Sequence, residues 1–182
     1  MGVCALAYAV SELVIALGLM GAAAMARASL SLAADAVRMS GTVAAESDAA
    51  LLQSGVGIVA RPLLTLGAAF GVLGVVGVVA AAGLLLRRNA FRLAAVAVVC
   101  TSAAVSVALF VHMRSSSATV NAWLASVREL ESRFASGSRV SAAVTGGHDL
   151  VGALCPLILH VVVAAVVVAL LRSRSAREWC AR

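Results

Sequence analysis

The sequence predicts an all-α, multi-pass integral membrane protein with four transmembrane helices, on the basis of three observations. Of its 182 residues, 63% are hydrophobic and 12% are charged, and the mean hydropathy is +1.06. Soluble domains carry about 45–50% apolar and about 25% charged residues, so a soluble fold of this size could not cover so much apolar surface. The apolar residues fall into four long stretches, and arginines cluster between the second and third stretches and after the fourth.

The four stretches span about residues 3–26, 58–86, 93–113 and 150–171. A helix that crosses the hydrocarbon core needs about 20 predominantly apolar residues. The second and fourth stretches, with VLGVVGVVAAAGLLL and HVVVAAVVVALL, are apolar on every side, as expected for helices surrounded by lipid. The sequence therefore predicts a single membrane domain over residues 1–182, made of two helical hairpins.

The first stretch has an alternative interpretation as a cleaved signal peptide. The segment AAAMARA offers small residues spaced like a cleavage site that ends at Ala26. A signal peptide normally opens with positive charge, whereas the first basic residue here is Arg27 and Glu12 lies within the apolar region. These features favour a retained membrane helix.

Arginine placement predicts the orientation of the helices. The six residues RRNAFR, at 87–92, can form only a tight turn between the second and third helices, and basic residues in short loops stay on the cytoplasmic side. The turn and the tail at 172–182 hold half of the fourteen basic residues but only one acid, Glu178. The predicted topology anchors are Arg87, Arg88, Arg92, Arg172, Arg174 and Arg177. Both termini are therefore expected inside, with the loops at 27–57 and 114–149 outside.

Both outer loops carry apolar residues at helical spacing, which predicts helical extensions of the membrane helices. In the second loop these residues are Val120, Trp123, Leu124, Val127, Leu130 and Phe134. In the first loop Leu30, Ala34 and Val37 mark a similar face. The segment Ser40-Gly41-Thr42 is expected to end that helix, because glycine readily adopts the left-handed conformation found at helix ends.

Glu12 and His160 are the most informative polar residues in the apolar stretches. Each lies nine or ten residues from a membrane edge, hence roughly 14–15 Å deep at 1.5 Å per residue, near the midplane. A carboxylate there needs a partner, so we expect this pair to be in contact. The residues Ser11, Thr101, Ser102 and Ser106 could complete a polar cluster. Such a pair could relay protons, but with no continuing polar track a structural role is favoured.

The second stretch contains a predicted packing face. Its glycines recur every three or four residues, at Gly67, Gly71, Gly74 and Gly77. Small residues at this spacing allow two membrane helices to approach closely. The partner could be another helix of this chain or the same helix of a second copy, and packing within the chain is favoured.

The sequence carries few signs of catalysis. It has no nucleotide-binding loop, dinucleotide fingerprint or HExxH motif, and the spacing of its four cysteines does not suggest a metal site. We therefore expect no enzyme activity, cofactor, metal or nucleic-acid partner. The favoured function is a scaffold or accessory subunit that packs in the bilayer against itself or a larger membrane complex. The alternative is a small transporter or proton-conducting channel that uses Glu12 and His160.

Overall fold

The computed structural model describes residues 2–41, 43–86, 89–133 and 150–173. The helices are α1 (Gly2–Met39), α2 (Ala45–Gly55), α3 (Arg61–Leu85), α4 (Asn89–Arg133) and α5 (Leu150–Arg172). A π-helical turn, Val56–Ala60, joins α2 to α3, so these form one continuous segment. Apart from short turns, the described residues are all helical. The predicted all-α class is therefore confirmed.

The end of α1 follows the predicted break. Gly41 has a positive φ of 66°. Glycine adopts this backbone conformation readily, whereas a residue with a Cβ adopts it only with steric strain. The last turn closes with the Ser40 amide donating to the Val37 carbonyl at 3.0 Å. The chain resumes as α2 with Glu46 and Asp48 in the first turn, where carboxylates interact favourably with the helix dipole. Thr42 lies outside the described residues.

The π-helical turn ends at Ala60, two residues before Pro62. Proline has no amide hydrogen, and inside a helix its ring conflicts with the carbonyl four residues earlier, here that of Ile58. The wider turn at Val56–Ala60 changes the hydrogen-bond pattern at this point. Pro62 therefore lies inside a continuous helical segment, and the π-helical turn precedes the place where its amide hydrogen is missing.

Three helical stretches are long and apolar enough to cross a membrane, namely Gly2–Met39, Ala45–Leu85 and Ala90–Arg133. The fourth predicted span coincides with α5, in which the stretch Ile158–Arg172 is a shorter apolar helix. These helices expose large apolar side chains, for example along α3 and α5 at Val72, Val75, Val79, Leu159, Val162 and Val166. Three long apolar helices suggest a multi-pass membrane protein.

The described residues form two compact units. The first comprises those within Met1–Gly18, Leu66–Val111 and Leu154–Arg182. It is a bundle to which α1, α3, α4 and α5 all contribute. Its core consists of small and β-branched residues together with two leucines and one tyrosine, namely Ala5, Tyr8, Ala80, Ala81, Leu84, Ala95, Val99, Ala164, Val167 and Leu171. Small side chains allow the helix backbones to lie close together.

The second unit comprises the described residues within Leu19–Thr65 and His112–Ala153. Its core contains both predicted helical faces, with Leu30 and Ala34 from α1 and Val120, Trp123, Leu124, Val127 and Leu130 from α4. The Trp123 indole donates to the Leu51 carbonyl at 3.0 Å. Gly55 makes room for that ring, since a Cβ there would overlap it. The two predicted helical faces therefore share one core within the described residues, which on α4 end at Arg133. Phe134 lies outside the described residues.

Candidate functional site

Three helices of the first unit bring four polar side chains together. Tyr8 and Glu12 lie one turn apart on α1, and residues four apart share a face of a helix. Ser102 comes from α4 and His160 from α5. The structure therefore places Glu12 beside His160, together with two hydroxyl groups. We call these four residues the polar cluster.

The distances within the polar cluster are all in the range of hydrogen bonds. Ser102 Oγ donates to Glu12 Oε1 at 2.5 Å, and His160 Nε2 lies 3.2 Å from the same oxygen. The Tyr8 hydroxyl lies 2.9 Å from His160 Nε2 and donates to Ser102 Oγ at 3.2 Å. Ser102 Oγ is also 3.1 Å from His160 Nε2. Each group thus contacts at least two of the others.

These distances are compatible with two arrangements of hydrogens, which differ at His160 Nε2. If Nε2 carries a hydrogen, the imidazole donates to Glu12 Oε1. If Nε2 is bare, it accepts the single hydrogen of the Tyr8 hydroxyl, which is then not donated to Ser102 Oγ. Both nitrogens donate only in the charged imidazole, and in that form His160 and Glu12 make an ion pair. The polar cluster can therefore hold a proton at more than one position.

Burial makes these contacts energetically important. Glu12 and Ser102 are each 0% exposed. Glu12 Oε2 is buried and has no hydrogen-bond partner among the described residues, whereas Oε1 accepts from Ser102 Oγ and lies 3.2 Å from His160 Nε2. An unsatisfied buried polar atom costs about 1–3 kcal/mol. The remaining contacts of Glu12 therefore matter for the stability of the unit.

Aromatic rings enclose His160. Its ring lies 5.3 Å from the Tyr8 ring and 6.2 Å from the Phe70 ring, centroid to centroid. The Phe70 ring is perpendicular to the imidazole, at 86°, a favoured geometry for aromatic pairs. Phe70 belongs to α3, so all four helices of the first unit contribute to the surroundings of the imidazole.

The other polar residues suggested by the sequence divide into two groups. Ser106 is buried, and its hydroxyl donates to the Ser102 carbonyl one turn earlier at 3.0 Å. Ser11 and Thr101 are exposed, and the Ser11 hydroxyl donates to the Tyr8 carbonyl of its own helix. Neither Ser11 nor Thr101 joins the polar cluster. Tyr8, which does, was not predicted from the sequence, although its position one turn before Glu12 is a usable signal.

Three glycines of α3, Gly71, Gly74 and Gly77, lie against α1 within the first unit. Gly67, Gly74 and Gly77 are buried. A Cβ at Gly74 would lie 2.7 Å from Leu13 Cδ2, and one at Gly77 would lie 2.9 Å from Ala9 Cβ. At Gly71 the corresponding distance, to the Ala16 Cβ, is an ordinary 3.7 Å. This close approach is between two helices of the same chain.

Of the predicted topology anchors, Arg92 and Arg172 are described. Arg92 Nη1 is buried and has no hydrogen-bond partner among the described residues. Arg172 is the last residue of α5, where a positive charge interacts favourably with the helix dipole. The other four anchors, Arg87, Arg88, Arg174 and Arg177, lie outside the described residues.

Comparison with known proteins leaves the site to be interpreted from its own geometry. No protein-family model, curated protein or solved structure matches the chain.

Proposed function

We propose that the protein is a non-catalytic membrane protein with four spanning helices, which acts as a scaffold or accessory subunit of a membrane assembly. The observation that carries this proposal is the polar cluster. Its hydroxyls and imidazole bond to one another and to Glu12 Oε1, and they come from three helices. Buried polar contacts of this kind hold helices in one arrangement, and a fixed arrangement suits a packing role.

The proposed orientation places both termini on the cytoplasmic side of a single membrane domain. It is supported by the concentration of arginines at 87–92 and 172–182. Reporter tags inserted in the turn and fused after Arg182 are expected to report the same face of the membrane. Tags in the loop at 114–149 are expected to report the opposite face. If the turn and the tail report opposite faces, the proposed orientation is wrong.

An exposed part of α1 supports the packing role. Gly18 and Gly21 are exposed, and a Cβ at either position would meet nothing within 4 Å. Ala22, which follows Gly18 by four residues, is also exposed. Small residues on an exposed membrane helix allow another helix to come close. Gly74 and Gly77 of α3 already pack on α1. Gly18 and Gly21, in contrast, contact no other part of the described chain and are free to meet a partner.

We expect the protein to purify in mild detergent as a defined oligomer or with a stoichiometric partner. Gly18→Leu is expected to disrupt that association by separating the helices, and it has open space in the monomer. Val72→Leu, at an exposed position of α3, is the matched control. Size-exclusion chromatography with light scattering measures the mass. A wild-type protein that runs as a lone monomer would contradict the proposed function.

The alternative function, a small transporter or proton-conducting channel, also has an observation in its favour. The polar cluster joins a carboxylate, an imidazole and two hydroxyls within hydrogen-bond distance, which is the chemistry of a proton relay. Proton flux in liposomes, measured for the wild type and the variant carrying Glu12→Gln with His160→Ala, separates the two functions. Flux lost in the variant favours transport, whereas no wild-type flux, or flux that survives, argues against it.

A further inference from the structure

A cavity of about 410 Å³ lies in the second unit, and none of its lining residues belongs to the polar cluster. It is open to the outside, and its wall includes two arginines, three polar side chains and a glycine, namely Arg27, Arg61, Ser31, Gln53, Ser54 and Gly57. Its volume falls within the range of about 300–1,000 Å³ typical of small-ligand sites. The π-helical turn contributes Gly57, and such turns are frequent at functional sites.

Among the described residues, neither arginine on this wall has an acidic partner, in contrast to two of the four other described arginines of the unit. Arg38 pairs with Asp35 and Glu46, and Arg133 pairs with Glu129. Within the described part of the chain, no carboxylate lies within ion-pair distance of Arg27 or Arg61. Two positive charges that line one cavity repel each other. An anion bound in the cavity attracts both guanidinium groups and offsets this repulsion.

The remaining polar groups on the wall show where its donors are. The hydroxyls of Ser31 and Ser54 already donate to carbonyls of their own helices, at 2.9 and 2.7 Å. The Gln53 side-chain amide can be oriented so that its oxygen accepts a hydrogen bond from Arg38 Nη2 at 3.0 Å. In that orientation the Gln53 NH₂ group remains available as a donor. The two guanidinium groups and this amide are therefore the groups suited to an anion.

We propose that Arg27 and Arg61 bind a phosphate group in the cavity that Gly57 leaves open. A guanidinium presents a planar fork of donors that matches phosphate oxygens. In the proposed membrane topology, Arg27 directly follows the first apolar stretch and Arg61 begins α3. Both arginines then lie near the boundary between hydrocarbon and water, the level of lipid headgroups. The phosphate group can belong to such a headgroup or to a soluble phosphate.

Gly57 provides a variant that closes the cavity without touching either arginine. A Cβ at this position would meet nothing within 4 Å. Gly57→Phe therefore places a ring into open space. If this variant folds and fails to bind, the loss comes from occupation of the cavity and not from a change of charge.

The test measures the thermal unfolding midpoint of the full chain in a neutral detergent, with two kinds of probe. In one arm inorganic phosphate is titrated against sodium chloride of equal ionic strength. In the other, phosphatidylglycerol is titrated against a diacylglycerol with the same acyl chains. A ligand that binds only the folded state raises the midpoint in a saturable way, and the dissociation constant follows from the titration.

Arg27→Gln and Arg61→Gln are each expected to weaken binding about tenfold or more, because a hydrogen bond to a charged group contributes about 1.5–3 kcal/mol. Gly57→Phe is expected to abolish binding. Arg114→Gln removes an exposed arginine of the same unit that does not line the cavity, and it is expected to bind like the wild type.

The outcomes distinguish the two sources of phosphate. Binding of phosphatidylglycerol alone identifies a site for a lipid headgroup, and binding of inorganic phosphate alone identifies a site for a soluble ligand. If both probes bind, the site accepts a phosphate group from either source. The proposal is overturned if neither probe binds saturably. It is also overturned if Arg114→Gln weakens binding as much as Arg61→Gln does, since the effect is then general charge attraction. The cavity-filling and charge variants are independent, so poor folding of one leaves the other to decide.

Discussion

His160→Leu is expected to destabilise the protein, by about 3–5 kcal/mol if the contact that it removes from Glu12 is a buried ion pair. Glu12 is 0% exposed, and one of its two oxygens has no partner among the described residues. Hydrogen bonds between membrane helices average only about 0.6 kcal/mol, so the size of the loss indicates whether the contact with Glu12 is ionic. The measurement is the free energy of unfolding in bicelles or mild detergent.

A double-mutant cycle completes this test. When Glu12→Leu is combined with His160→Leu, no unpaired carboxylate remains, and replacing a buried pair by apolar residues is often neutral. The double variant is therefore expected to lose much less stability than the sum of the two single losses. Ser11→Ala is the control, because Ser11 is exposed and bonds only within α1. Additive losses in the cycle would show that Glu12 and His160 do not depend on each other.

Gly77→Ala is expected to destabilise the first unit by about 1–3 kcal/mol, the usual cost of overpacking a core. The added Cβ would lie 2.9 Å from the Ala9 Cβ and 3.6 Å from the Ala9 Cα. Alanine has no side-chain torsion that could relieve this contact, so α1 and α3 have to separate. The free energy of unfolding, measured as for His160→Leu, gives the size of the effect.

Gly71→Ala is the matched control on the same helix. The added Cβ would be 3.7 Å from the Ala16 Cβ, an ordinary contact. Alanine is favoured over glycine within a helix by roughly 0.5–1 kcal/mol, so this variant is expected to be neutral or slightly stabilising. Equal losses at Gly71 and Gly77 would mean that the close approach of α1 to α3 does not determine the cost.

Much of the fold could be predicted because membrane helices and amphipathic helices leave strong periodic patterns. Leu30 and Ala34 on α1, and Trp123 and Val127 on α4, share a core as their spacing predicts. The end of α1 near Gly41 was also predictable, because it depends on a glycine that can adopt a positive φ. The π-helical turn was not predicted, since its position depends on how the chain accommodates Pro62 in a helix that continues.

The candidate site was predictable in part. Few ionisable groups lie within the apolar stretches, and their scarcity makes Glu12 and His160 natural partners for each other. The contributions of Tyr8 and Ser102 depend on how each helix is rotated about its axis. Successive residues of a helix point about 100° apart, so Ser11 is exposed although its neighbour Glu12 is buried. Sequence alone does not give that rotation.

The contact between the first and the last helix has a consequence for the biosynthesis of the protein. In the proposed topology α1 enters the bilayer before His160 is synthesised, because 148 positions separate Glu12 from His160. A charged side chain at the centre of an isolated inserting helix costs about 2.5–3.5 kcal/mol. Until α5 arrives, the nascent protein therefore has to keep that carboxyl neutral or sheltered by the insertion machinery, and a truncation before α5 should leave α1 poorly anchored.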